Sequence, residues 1–300
     1  MKKVEGVFAP IATPFGADGT IDFGRYAENL AKFDKTGLAG IVVLGSNGEF
    51  TMLSHEEKLD LIAAVRKGMS ADKVVIAGTG CESLKETVDL TKGAADRGAD
   101  VALVINPCYY KRDLTESTIE NFFIAVAEKS PIPVMVYNMP GNSGINLSSA
   151  LVTRLSAHGN IVGVKDSGGN IVQISEIIAG VPSDFSVFAG SGSYLFVTTV
   201  LGGKGGTLAV ANVAPDICAE IYALCSRKEY DKARKLQLDI LQLNACVTSR
   251  YGIGGMKAAM DLAGFFGGAP RLPLQPANNV MVKDIRTQLE KLGLLGKYRT

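Results

Sequence analysis

Residues 161–169 read IVGVKDSGG, a mostly apolar run that ends in a lysine, an acid, a serine and two glycines. An apolar run of this kind is typical of a parallel strand that is covered on both faces. Seven other segments have the same character. The predicted strands are residues 6–12, 39–45, 74–79, 99–106, 133–138, 161–166, 185–190 and 206–211.

Longer amphipathic stretches alternate with these strands. Ser54 with Glu57, and Ser83 with Glu86, have the spacing of a capping box at a helix start. The alternation predicts a closed (β/α)8 TIM barrel of the α/β class, and an open doubly wound sheet is the alternative. The predicted helices in this part include residues 22–36, 54–68, 83–97 and 115–129.

After the eighth predicted strand the pattern becomes helical only. We therefore expect a barrel with the active site in residues 1–226 and a C-terminal helical appendage in residues 227–300. The predicted helices near the C-terminus are residues 214–226, 228–249, 254–266 and 278–292.

Composition narrows the possible partners. Of 300 residues, 31 are Lys or Arg and 30 are Asp or Glu, so the net charge of +1 gives no field that attracts nucleic acid or an anionic membrane. We expect small-molecule partners and copies of the same chain. The five cysteines form no metal-binding pattern, and no apolar run has the length of a signal peptide or membrane span. These features predict a cytoplasmic protein without a structural metal.

The active site of a parallel barrel lies at the carboxyl ends of its strands, so the residues that end each strand are the candidates. Five of these strand ends carry polar or small residues that suit a site. They read GSNGE (45–49), NPCYY (106–110), YNMPGNSG (137–144), KDSGG (165–169) and GSGSY (190–194).

Lys165 and Tyr137 end neighbouring predicted strands. Burial favours the neutral form of a lysine amine, which is a nucleophile toward carbonyl carbons, but Lys165 could equally form an ion pair with Asp166. Tyr137 could relay protons to a substrate oxygen or could simply pack in the core. The sequence leaves both pairs of alternatives open.

Two of the other strand ends suggest anion binding. The backbone N–H groups of GSNGE, with the Ser46 hydroxyl and the Asn47 amide, could hold a carboxylate or could close an ordinary turn. GSGSY stands where many barrels bind phosphate, which favours a phosphate-binding isomerase as a rival function. His55 and His158 fall on predicted helix surfaces, so we expect neither a histidine base nor a metal cluster.

The strand-end motifs GSNGE, NPCYY, YNMPGNSG and VGVKDSGG, in this order, resemble those of the pyruvate-dependent class I aldolases. This superfamily includes dihydrodipicolinate synthase and N-acetylneuraminate lyase, and the resemblance extends from about residue 5 to about residue 275. It implies that Lys165 forms a Schiff base with pyruvate and that Tyr137 shuttles protons, without a metal or organic cofactor.

The resemblance also implies roles for further residues. Ser46 and Asn47 would bind the pyruvate carboxylate, and Ser46 would complete the proton relay. Tyr110 would be lent to a neighbouring subunit, which implies a homo-oligomer, usually a dimer of dimers. The backbone carbonyl of Leu208 would line the pyruvate pocket.

Within the superfamily, the departures favour one group. The synthases carry an arginine five residues after the tyrosine, where this chain has Asn142. GSNGEF, AGTGCES (77–83) and the stretch 247–275 instead resemble the 4-hydroxy-2-oxoglutarate aldolases, which form pyruvate and glyoxylate. Ser167 would then contact the distal carboxylate of the substrate. The synthase reaction and a non-catalytic keto-acid sensor remain alternatives.

Overall fold

The computed structural model describes residues 2–299 of the chain. Eight parallel strands follow one another around a closed barrel, and β8 pairs with β1. The predicted (β/α)8 barrel is therefore confirmed. The strands are β1 (Gly6–Pro10), β2 (Gly40–Val43), β3 (Val74–Gly78), β4 (Val101–Ile105), β5 (Val134–Asn138), β6 (Ile161–Asp166), β7 (Ser186–Ala189) and β8 (Gly205–Thr207).

The last strand is shorter than predicted. Where the sequence predicts a strand to residue 211, the chain leaves β8 after Thr207 and forms a 3₁₀ turn over Ala209–Asn212. The Asn212 amide donates to the carbonyls of Pro10 and Ala209 at 2.9 and 3.1 Å. These bonds satisfy backbone groups at the end of β1, so the chain turns here instead of extending the sheet.

Helices cover the outside of the barrel. Ser54 and Glu57 form the predicted capping box, whereas at Ser83 only the bond from the Glu86 N–H to the serine hydroxyl is formed, at 3.1 Å. The helices before the appendage are α1 (Phe23–Asp34), α2 (His55–Gly68), α3 (Leu84–Asp96), α4 (Glu116–Lys129), α5 (Pro140–Ser143), α6 (Ser149–Leu155), α7 (Ile171–Gly180), α8 (Leu195–Val200) and α9 (Pro215–Ser226).

The C-terminal appendage is helical, as predicted, but its longest helix is broken. The predicted helix 228–249 consists of three segments, α10 (Tyr230–Asp239), α11 (Leu241–Ala245) and a π-helical turn (Cys246–Arg250). Two further helices follow, α12 (Gly252–Ala263) and α13 (Asn279–Lys291).

Apolar side chains fill both the barrel and the space under the appendage. Inside the barrel, Phe8 and Phe188 stack with their ring centroids 5.4 Å apart, in the same core cluster as Tyr137. Outside, one core cluster runs from Val7 to Leu294 and joins strands to C-terminal helices. The appendage is thus packed on the barrel. The boundary between 226 and 227 stays a prediction, and Met1 and Thr300, the outer ends of the two predicted regions, lie outside the described residues.

In residues 2–299, every helix is too short or too polar to cross a membrane.

Candidate active site

Strand pairing brings Lys165 and Tyr137 together at the carboxyl end of the barrel. The two residues are register partners on β6 and β5. The Lys165 Nζ lies 4.0 Å from the centroid of the Tyr137 ring. Only 3% of Lys165 and 5% of Tyr137 is exposed. A primary amine and a phenol therefore lie in contact and buried at the carboxyl end of the strands, where the sequence predicts the site.

Asp166 does not pair with Lys165. Adjacent residues of a strand point to opposite faces, and the Asp166 carboxylate lies on the outer face of the barrel. It accepts hydrogen bonds from the Asn138 amide at 2.7 Å, the Gln173 amide at 3.1 Å and the Gly168 N–H at 2.9 Å. The ion pair that the sequence left open is thus not formed, and the Lys165 amine faces the barrel interior.

The surroundings of Tyr137 favour its ionised form. Burial by itself raises the pKa of the phenol, but the charge of Lys165 and interactions with the Ser46 and Ser167 hydroxyls outweigh it, so the pKa lies below its usual value. A phenol with a lowered pKa accepts and returns protons more readily near neutral pH. Ser46, Ser167 and Lys165 therefore all lie around the phenol whose predicted role, from the resemblance, is to relay protons.

The GSNGE segment forms a tight turn beside this phenol. Ser46–Gly48 is a single 3₁₀ turn, and Leu44 and Glu49 on either side both have left-handed backbone with φ of 59°. This conformation costs a residue with a side chain about 1–2 kcal/mol, so contacts elsewhere must stabilise it. One such contact is the bond from the Thr13 hydroxyl to the Gly48 carbonyl, 2.7 Å long.

Asn47 and Met256 meet at the edge of the same turn. The Asn47 amide donates to the Met256 sulfur at 3.1 Å. A thioether is a weak acceptor, so a carboxylate can readily take its place. The predicted role of Asn47 in carboxylate binding is compatible with this arrangement but stays a prediction.

A buried ion pair contacts the end of this turn, and sequence reasoning missed it. Lys257 of α12 and Glu49 approach to 2.6 Å between Nζ and Oε1, with both side chains fully buried. The second Glu49 oxygen accepts from the Arg271 N–H at 2.8 Å. The available signal was a lysine within the apolar run GGMKAAM, at residues 254–260.

A cavity of about 350 Å³ opens next to the turn. Ser46 and Asn142 line it, and Ser46 also lines the narrow space against Tyr137. A larger cavity of about 710 Å³ is lined by Lys3, His158 and Asp184 at the amino end of the barrel. The smaller cavity is the candidate substrate site, because Ser46 borders both this cavity and the narrow space beside Tyr137.

His158 differs from its prediction. It lies half-buried in the turn between α6 and β6, and not on a helix surface. His55 is exposed at the start of α2, as expected. Among residues 2–299, no three His, Cys, Asp or Glu side chains are grouped so that they could hold a metal ion.

The three other selected residues differ in their surroundings. Ser167 follows β6 and packs against Gly190, which has no room for a side chain. Leu208 is fully buried, and its carbonyl accepts from the Ala211 N–H at 3.0 Å. Tyr110 is 70% exposed on the surface of the chain, and its role in the site of a neighbouring subunit stays a prediction.

The GSGSY loop is held by the C-terminal helices. The Ser191 and Ser193 hydroxyls both accept from the Asn244 amide, at 3.3 and 2.8 Å. The Gly192 carbonyl accepts from the Gln237 amide at 2.6 Å. Because these hydroxyls already have protein partners, the geometry gives the phosphate-binding alternative little support.

Comparison with known proteins agrees with this geometry. The model of the Dihydrodipicolinate synthetase family matches residues 3–292. A probable mitochondrial 4-hydroxy-2-oxoglutarate aldolase of Emericella nidulans is 35% identical over 275 residues, covering 90% of this chain and 89% of that protein. A 4-hydroxy-tetrahydrodipicolinate synthase of Methanothrix thermoacetophila is 35% identical over 291 residues, covering 96% of this chain and 97% of that protein. An aldolase and a synthase are therefore similar to this chain to the same degree.

One solved structure is of a protein with pyruvate bound. YagE, a prophage protein of the dihydrodipicolinic acid synthase family from E. coli K12, was solved in complex with pyruvate. It superposes with a TM-score of 0.91 at 30% identity, covering 97% of this chain and 99% of that chain.

Proposed function

The chain belongs to the dihydrodipicolinate synthetase family, and we propose that it is a class I aldolase that cleaves 4-hydroxy-2-oxoglutarate to pyruvate and glyoxylate through a Schiff base on Lys165. The observation that carries the proposal is the buried contact between the Lys165 amine and the Tyr137 ring, with the Asp166 carboxylate turned away. An amine without a carboxylate partner at the end of a barrel strand is suited to nucleophilic attack on a carbonyl.

The proposed reaction needs no metal or organic cofactor. The Lys165 amine attacks C2 of the substrate, and loss of water leaves an iminium. Tyr137 takes the proton from the 4-hydroxyl as the C3–C4 bond breaks, and the electron pair of that bond moves into the iminium to give an enamine. Glyoxylate leaves, a proton returns to C3, and water releases pyruvate from Lys165.

The neighbouring residues take supporting roles in this proposal. Ser46 relays the proton from Tyr137, and the N–H groups of its turn hold the pyruvate carboxylate together with Asn47. The backbone carbonyl of Leu208 lines the pyruvate pocket. Tyr110 of a neighbouring subunit completes the relay. The exposure of Tyr110 and the closeness of Ser46 to the phenol support these assignments.

Substrate choice rests on Asn142 and Ser167. Asn142 lies at the wall of the cavity next to Ser46. An arginine there would hold the carboxylate of an aldehyde partner by a charge-assisted bidentate pair, whereas an amide offers neutral hydrogen bonds only. We therefore propose that the short glyoxylate unit, with its carboxylate near Ser167 and Asn142, is preferred over aspartate semialdehyde.

Two rates in one preparation test this choice. The first is kcat/KM for cleavage of 4-hydroxy-2-oxoglutarate, and the second is kcat/KM for aspartate semialdehyde at saturating pyruvate. We expect the first to be at least about 10-fold higher, the scale of one hydrogen bond to a charged group. Asn142→Arg should raise the second value, since it supplies the missing charge.

The synthase is the second candidate, because a synthase from Methanothrix thermoacetophila is as similar to this chain as the aldolase is. A higher kcat/KM for aspartate semialdehyde would assign the chain to that reaction. Absence of both reactions would leave a protein that binds keto acids without turnover.

Assembly and location are also proposals. We propose a homo-oligomer built as a dimer of dimers, since Tyr109 and Tyr110 form an exposed aromatic pair. We propose a cytoplasmic location from the cysteine pattern, although the name of the relative from Emericella nidulans places that protein in the mitochondrion.

A further inference from the structure

The pair Lys257–Glu49 lies directly under the turn that we propose to bind the substrate carboxylate. We propose that Lys257 is a positioning residue, which holds the Ser46–Asn47 turn in its binding shape through the buried carboxylate of Glu49. This inference rests on the proposed function, and it names a residue of the C-terminal appendage that never touches the substrate.

The backbone conformation on either side of the turn is strained, so contacts from outside the turn must stabilise it. Among residues 2–299, the non-glycine residues with a positive φ are Leu44, Glu49 and Lys228, and two of these flank the turn. A left-handed residue with a side chain persists only where its surroundings fix it. The question is which contacts fix Glu49.

The carboxylate of Glu49 is fixed from two directions. Its Oε1 lies 2.6 Å from the Lys257 Nζ, and its Oε2 accepts from the Arg271 N–H at 2.8 Å. Both side chains of the ion pair are fully buried. A buried carboxylate is stable only with such partners, so removal of the lysine charge would drive Glu49 to move.

Lys257 is itself held in place by contacts with the barrel, so it can fix the position of the Glu49 carboxylate. Its Nζ donates to the carbonyls of Thr13 at 2.8 Å and Ala269 at 3.0 Å, and it lies 4.6 Å from the Phe15 ring centroid. The Thr13 hydroxyl in turn donates to the Gly48 carbonyl at 2.7 Å. Lys257, Thr13, Gly48 and Glu49 thus form a closed set of contacts around the turn.

The alternative is that Lys257 only stabilises the fold. The ion pair between Arg250 and Asp284 offers a control within the same appendage, since it joins the π-helical turn to α13 at 2.9 Å between nitrogen and oxygen, is partly exposed, and contains no residue of the turn. If both ion pairs only stabilise the fold, breaking either of them should change hydrogen exchange in the turn and the affinity for pyruvate in the same manner. A positioning role would affect the turn only when the Glu49 pair is broken.

The experiment compares five proteins: wild type, Lys257→Met, Glu49→Gln, the double variant, and Arg250→Gln. Amide hydrogen exchange is followed in the peptide 44–53, and the apparent affinity for pyruvate is measured by borohydride trapping. Thermal unfolding confirms that each protein is folded, and the isosteric Glu49→Gln decides the result if Lys257→Met does not fold.

We expect both single variants to exchange at least about 10-fold faster in the peptide 44–53 and to bind pyruvate at least about 10-fold more weakly, since misplacement of a positioning group by about 1 Å costs up to about 100-fold. Arg250→Gln should match wild type in both. The double variant should be no weaker than the weaker single variant, because the two residues act through one interaction.

Wild-type exchange in the peptide 44–53 of the folded single variants would overturn the inference, and so would effects that add in the double variant. Failure of the proposed function has a different signature. In that case wild type itself would not trap pyruvate, while the exchange comparison would still decide whether Lys257 holds the turn.

Discussion

At the scale of single residues, the proposed chemistry depends on the Lys165 amine and the Tyr137 phenol. Burial raises the pKa of the phenol, but the lysine charge lowers it, and the phenol ring lies 4.0 Å from the amine. The amine is suited to attack and the phenol to proton transfer. The two functions can therefore be separated by substitution.

Tyr137→Phe should still form a reducible imine with pyruvate but lose cleavage of 4-hydroxy-2-oxoglutarate by at least about 100-fold, the scale of general acid–base catalysis. Tyr26→Phe is the control, because it removes another buried phenol hydroxyl, on α1 and outside the site. Turnover at the wild-type rate in Tyr137→Phe would assign Tyr137 to packing.

The pKa of Tyr137 also fixes the sign of a pH effect. Because that pKa lies below 10, the phenolate forms as pH rises toward 10 and is lost as pH falls through the lowered value. If the phenolate is the base, kcat for cleavage rises with pH over this range. This pH dependence follows from the assignment of Tyr137 as the base, and it is measured as kcat against pH with wild-type protein. A kcat that does not change over this range would contradict the assignment.

Sequence reasoning selected Lys165 and Tyr137 because each stands near the end of a strand, and position along a strand is a local property. It did not find Lys257, because the burial of that lysine depends on how α12 packs against Thr13 and Glu49, more than 200 residues away in sequence. A lysine in a helix gives no local sign of a partner so distant.

At the scale of elements, the end of β6 shows how a strand separates two charges. Lys165 points inward, while Asp166 points outward and binds Asn138, Gln173 and the Gly168 N–H. The period of two in a strand determines this, so the divergence was predictable once the strand was located. The three partners of Asp166 come from β5, α7 and the following loop, which the local pattern does not reveal.

Asp166→Asn tests the structural role of this carboxylate. The new amide would present a donor where the carboxylate accepts, so we expect the free energy of unfolding to fall by about 2 kcal/mol, as for a buried polar group left unpaired. Imine formation at Lys165 should persist. Chemical denaturation gives the first quantity and borohydride trapping the second; loss of trapping in folded protein would mean that Asp166 acts on the amine directly.

The end of β8 was the least predictable element. Residues 206–211 read as an apolar run, which predicts a strand, but the Asn212 amide takes the carbonyls of Pro10 and Ala209 and turns the chain. The hydrogen bonds of one side chain thus stabilise a turn where the pattern predicts the end of a strand. Hydrogen bonds between residues about 200 positions apart cannot be inferred from the local pattern.

At the scale of the whole molecule, the strand count and the order of elements were predictable, because eight β/α units close a barrel by their own twist and periodicity. The breaks in the C-terminal helices were not. Asn244, within α11, binds the loop of Ser191 and Ser193, and such contacts between distant parts of the chain have no local signal in the sequence. The appendage therefore contacts loops at the carboxyl end of the barrel at two places, through Asn244 and through Lys257.

Assembly gives a prediction at this scale. Tyr109 and Tyr110 are 77% and 70% exposed and pack edge to face with ring centroids 5.1 Å apart. Exposed aromatic side chains of this kind are enriched at interfaces. We expect light scattering to give the mass of four chains of 31.6 kDa.

Tyr109→Ala and Tyr110→Ala should each reduce the fraction of assembled protein. The loss of cleavage should be greater for the tyrosine that enters the neighbouring site. A monomer with full cleavage activity would exclude a shared tyrosine.

The most direct test of the account is the covalent bond between pyruvate and Lys165. Wild-type protein is treated with pyruvate and borohydride, digested, and analysed by peptide mass mapping, with Lys165→Met as the control. The account predicts one reduced adduct, on the peptide that contains Lys165, and none in the variant. No adduct in wild type, or an adduct on another lysine such as Lys257, would contradict it.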